Sequence, residues 1–71
     1  MNETLLRSIM IKNGDTQAAL AEAMGISLSR LNAKINSNGA EFKQTEILFI
    51  KKRYKLTAKE VNEIFFNEKV S

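Results

Sequence analysis

The sequence predicts an all-α fold of five helices, and three observations carry that reading. Apolar residues recur at spacings of three and four in nearly every segment, and no segment alternates as a half-buried strand would. Proline is absent, and only three glycines (Gly14, Gly25 and Gly39) interrupt the chain. At 71 residues, 44% hydrophobic and 27% charged, the expected organisation is one domain over residues 1–71 with ordinary globular composition. A chain this short buries only roughly 60% of the surface its unfolded form exposes, so modest stability is expected.

The first helix is placed at about Glu3 to Lys12, with Leu5, Leu6, Ile9 and Met10 as its apolar stripe. Asn13-Gly14 stops it, because both residues tolerate a left-handed backbone. The second helix, Gln17 to Ala23, can be capped by either Asp15 or Thr16 and turns Leu20, Ala21 and Met24 inward. Gly25 ends it, and Ser27 caps a third helix from Leu28 to about Asn36 that buries Leu31 and Ile35. Ser37-Asn38-Gly39-Ala40 reads as a turn.

The fourth helix covers roughly Gln44 to Tyr54. Its run Ile47-Leu48-Phe49-Ile50 is more apolar than one stripe requires. Thr57 followed by Glu60 is a capping box for the fifth helix, whose inward residues are Val61, Ile64 and Phe65, with Phe66 beside them. Residues 67–71 read as a frayed tail.

Charge is distributed unevenly. Residues 1–26 carry −1, residues 27–55 carry +5 and residues 56–71 carry −1, for a total of +3. A basic middle between slightly acidic ends suits a polyanionic partner, although a solvated lysine-rich surface gives the same balance. Several classes are disfavoured. Without cysteine or histidine there is no disulfide, no thiolate site, and neither the commonest general base nor the commonest zinc ligand. No phosphate-cradling glycine loop or paired-carboxylate motif is present, so neither an enzyme nor a metal, cofactor or small-molecule site is expected. No apolar run is long enough for a bilayer and the N-terminus lacks a secretory pattern, so a cytoplasmic setting without membrane partners is expected.

The informative stretch runs from Thr16 to Asn36: TQAALAEAMGISLSRLNAKIN. Two short helices can cross steeply only if they approach closely. Ala21 supplies a small residue at the crossing and Gly25 a turn position open to positive φ. Leu20, Met24, Ile26, Leu31 and Ile35 fill the wedge. With its Thr-Gln start, Ala21, Gly25, the following Ile-Ser and Leu31, the stretch resembles the helix-turn-helix of the lambda-repressor and Cro family. Gly-Ile-Ser, Leu-Asn-Ala-Lys-Ile-Asn and the Ile-Phe-Phe ending look like small phage-associated regulators of that family. One departure is visible: Lys34 stands where many members have an apolar residue, and Ile35 is expected to take over the packing.

The resemblance implies five helices in this order, with helix 28–36 in the major groove of double-stranded DNA. Carried over by motif, the base-reading residues are Ser27, Leu28, Ser29, Asn32 and Ala33, with some A·T preference and help from DNA shape. Phosphate contacts fall to Gln17, Arg30, Lys34, Asn36, Asn38 and Lys43. Lys51, Lys52, Arg53 and Lys55 are expected to face solvent or steer diffusion. The family reads palindromic operators as homodimers. Leu48, Phe49, Phe66 and Val70 therefore stand as candidates for a self-complementary interface, or as completion of a small core. The implied role is a phage or prophage repressor of Cro type. The rival is an antirepressor or adaptor that keeps the fold and binds protein.

Overall fold

A computed structural model describes residues 1–36 and 41–66. The class is all-α: five helices and no strand among the described residues. They are α1 (Glu3–Lys12), α2 (Gln17–Met24), α3 (Leu28–Ile35), α4 (Gln44–Tyr54) and α5 (Ala58–Phe65).

Local chemistry sets most of the boundaries. Asn2, Thr16, Ser27 and Thr57 each accept, through a side-chain oxygen, the backbone N–H three residues on, at 3.1, 3.0, 3.1 and 3.1 Å. Glu60 returns the bond to the Thr57 N–H at 2.8 Å, completing the anticipated capping box. Of the two candidate caps for α2, Thr16 takes the role and Asp15 is released for another. At the other end α2 runs one residue past expectation, to Met24, before Gly25 turns left-handed at φ 74°. Gly14 takes the left-handed position after α1 while Asn13 does not. Lys55 also turns left-handed, at φ 52°, so α4 stops without a glycine. The expected Ser37–Ala40 turn and the tail at 67–71 lie outside the described residues.

Every helix sends at least one fully enclosed side chain into a common core: Leu6, Leu20, Leu31, Ile35, Ile50 and Ile64. Removing each such side chain from water is worth about 1.5–3 kcal/mol. Ile9, Met10, Ala21, Ile47, Tyr54, Leu56 and Val61 complete it, and Leu5, Met24, Ile26, Phe42 and Phe65 pack on its margin. Phe42 meets Phe65 edge to face, with ring centroids 5.4 Å apart. The N-terminus is anchored to α5 by the Asn2 N–H, which donates to the Ile64 carbonyl at 2.7 Å.

The sequence left open which part of the apolar run in α4 faces inward. Ile47, Ile50 and Tyr54 do, at spacings of three and four, which leaves Leu48 (52% exposed) and Phe49 (37%) outside. Phe66, just past α5, is 57% exposed, and Val70 lies outside the described residues.

Candidate nucleic-acid interface

Among the described residues, the most extensive packing between two helices is that of α2 with α3. Ala21, 2% exposed, sits at the contact, and its carbonyl accepts the Ile26 N–H at 3.0 Å across the turn. A Cβ on Gly25 would meet no atom within 4 Å, so the demand for glycine there is conformational and not steric. Leu20, Leu31 and Ile35 close the wedge beneath.

With Leu31 and Ile35 fixed inward, the opening turn of α3 faces outward. Ser27, Leu28, Ser29 and Arg30 are exposed, and Asn32 and Ala33 are half-buried. Ser27 Oγ is engaged twice, by the Arg30 N–H and by Ser29 Oγ at 3.3 Å. Capping therefore consumes one acceptor and leaves hydroxyl capacity on both serines. Asn32 makes no side-chain hydrogen bond within the described residues. Leu28 is the one large apolar side chain on this turn, 44% exposed. Gln17, half-buried, opens α2.

The residues expected at phosphates divide. Arg30 and Lys43 are exposed as expected. Asn36 is exposed too, but its Oδ1 accepts a bond from Arg7 Nη2 at 2.9 Å. Asn38 lies outside the described residues. Lys34 must be corrected, because its side chain is 3% exposed and does not reach the surface. Its Nζ bonds the Glu41 carbonyl at 3.0 Å and Glu46 Oε1 at 3.1 Å, and it lies 6.0 Å from the centre of the Phe42 ring. The physical reason is geometric: position 34 lies three residues beyond the buried Leu31 and next to Ile35, so the stem packs as an apolar residue would while Glu46 compensates the charge. Ile35 shares the inward face with Lys34 and does not replace it. Burial alone would raise the Glu46 carboxyl pKa. The Lys43 N–H at 2.7 Å and Lys34 outweigh it and hold the group below its ordinary range.

Arg53 is exposed, as expected, but it is also engaged. Its Nε and Nη2 grip Asp15 at 2.8 and 3.2 Å, and Tyr54 Oη donates to the same carboxylate at 2.6 Å. The Arg53 bonds, then Tyr54 and the Thr16 N–H, hold the Asp15 pKa at about 2, against the opposing effect of burial. Burial foremost, with the adjacent carboxylate, raises Tyr54, which stays a phenol and a donor. This cluster fixes the residue before the α2 cap to the end of α4. Lys52 and Lys55 are exposed and Lys51 is half-buried.

Sequence reasoning missed Arg7 and the joint role of Asp15, Arg53 and Tyr54. The partners lie 29, 38 and 39 positions apart, beyond any local spacing signal. Among the described residues no group of acidic side chains is placed to hold a metal ion, and no helix is long and apolar enough to cross a membrane. Comparison with protein-family models, characterised proteins and solved structures gives no match to this chain.

Proposed function

We propose that the protein is a sequence-specific double-stranded DNA-binding regulator, a repressor of Cro type that reads the major groove with residues 28–36. One observation supports this above the others: the small polar residues Ser27, Ser29 and Asn32, with Arg30, occupy the outward face of a short helix braced from beneath by Leu31 and Ile35. Such a helix can enter a groove about 12 Å wide while the core holds its angle. Asn32 then pairs with adenine, Leu28 meets a thymine methyl, and Arg30, Lys43 and Gln17 serve the flanking phosphates. Two copies would read a two-fold site, and Leu48, Phe49 and Phe66 offer exposed apolar surface for the second copy.

Selection from a random duplex library at near-physiological salt tests the reading. The expected product is a two-fold symmetric site with half-sites about ten base pairs apart. On that site Asn32→Ala is expected to weaken binding by roughly 1–3 kcal/mol and to relax preference at one base pair. Its melting temperature should stay unchanged, since the side chain has no hydrogen bond to lose within the described residues. If no site is enriched and binding survives only at low salt for any DNA, sequence-specific regulation is excluded. The exposed leucine and phenylalanines would then favour the protein-binding adaptor.

A further inference from the structure

We infer that Arg7 and Asn36 form a composite phosphate-binding pair at the C-terminal end of α3, in which Arg7 both contacts a phosphodiester and orients the Asn36 amide. The inference rests on the duplex-DNA reading above. Arg7 lies on α1, and its Nη2 reaches across 29 residues to Asn36 Oδ1 at 2.9 Å. Three consequences follow from that bond. Because Oδ1 is occupied as an acceptor, the two Nδ2 hydrogens of an exposed side chain point elsewhere, and the amide is fixed with its donors presented. The partner is neutral, so Arg7 keeps its whole charge: the ion pairs among the described residues are Lys34–Glu46 and Arg53–Asp15, and neither includes it. Finally, the guanidinium has spent one of its five donors. Adjacent cationic and amide donors, without an intervening carboxylate, match the oxygens of a phosphodiester. A purely structural role for Arg7 is the rival, since a cation at a helix C-terminus is favourable without any ligand.

The test compares wild type with Arg7→Met, Arg7→Lys and Asn36→Asp. Fluorescence anisotropy would follow binding to the selected duplex and to an unrelated duplex of equal length at several salt concentrations, with thermal melting alongside. Arg7→Met is expected to weaken both duplexes equally, about five- to tenfold, and to reduce the salt slope by about one. Arg7→Lys should keep the slope and recover part of the affinity. Asn36→Asp should weaken both duplexes further, because a carboxylate neutralises Arg7 and removes the amide donors. Unchanged affinity and slope in Arg7→Met, with wild type still binding, overturns the pair and leaves the DNA reading standing. A loss confined to the selected duplex overturns it in favour of a base contact. A loss that follows a lowered melting temperature with the slope unchanged overturns it in favour of a structural role. If wild type binds neither duplex even at low salt, the DNA reading fails and the pair fails with it.

Discussion

Replacing Glu46 by alanine is expected to destabilise the protein by about 3 kcal/mol, whereas replacing its partner Lys34 by methionine leaves stability unchanged or higher. The asymmetry comes from what remains. Without Glu46, an ammonium whose side chain is 3% exposed keeps only the Glu41 carbonyl, and α4 loses the acceptor for the Lys43 N–H. Without Lys34, Glu46 still accepts from Lys43 and has access to water, its own side chain being 16% exposed. Methionine meanwhile matches the buried stem beside Leu31 and Ile35. Glu46→Gln separates the contributions, since it preserves the acceptor and removes the charge, and it should fall between the two. A domain of this length has roughly 4–10 kcal/mol in total, so the Glu46→Ala loss would appear as a drop of at least ten degrees or so in melting temperature. Equal losses for Glu46→Ala and Lys34→Met would mean that the pair itself, and not the stranded lysine, carries the energy.

The second large effect belongs to Asp15. Asp15→Ala is expected to cost about 2–3 kcal/mol, because it strands the hydroxyl of Tyr54, itself only 8% exposed, and releases Arg53. The same carboxylate fixes a pH dependence. Its folded-state pKa is lowered from 3.8 to about 2, so its ionised form stabilises the fold. That contribution is complete above pH 4 and is lost as pH falls towards 2, where the group protonates in the folded state as well. The linkage value of about 2.5 kcal/mol is reduced by solvent screening at the partly exposed Arg53 to about 1–2 kcal/mol. The difference in stability between wild type and Asp15→Asn, followed by chemical denaturation, should therefore narrow across pH 4 to 2. A difference constant across that window would show that the ion pair contributes nothing specific.

These two clusters also mark where sequence reading stopped. Helix positions, three of the caps, the capping box at Thr57 and Glu60, and the apolar inward residues of α1, α2, α3 and α5 follow from relations within four positions, and all were legible. The outward turn Ser27–Arg30 was legible too, because Leu31 and Ile35 fix the phase of α3. Lys34 was not, since a lysine in a helical pattern reads as surface until its counter-charge is known to lie 12 residues on and its stem to run beside the core. In α4 the run at positions 47–50 offered no phase of its own. Tyr54 supplies it, as an apolar ring with a polar tip, only once its partner is known to be Asp15, 39 positions away and one of two candidate caps for α2. Arg7 carries no local signal at all.

The Asp15 cluster has a further consequence, for time rather than equilibrium. Its bonds to Arg53 and Tyr54 join groups 38 and 39 residues apart, while the caps that define each helix close over three. Helices can therefore nucleate without it, and it can close only once α4 has docked against the start of α2. Interactions that form after the rate-limiting step act on the lifetime of the native state and not on the speed of reaching it. In a chevron plot, Asp15→Asn is expected to raise the unfolding arm and leave the folding arm where it was. Asp15 would thus set how long the turn before Thr16 stays closed once it has formed.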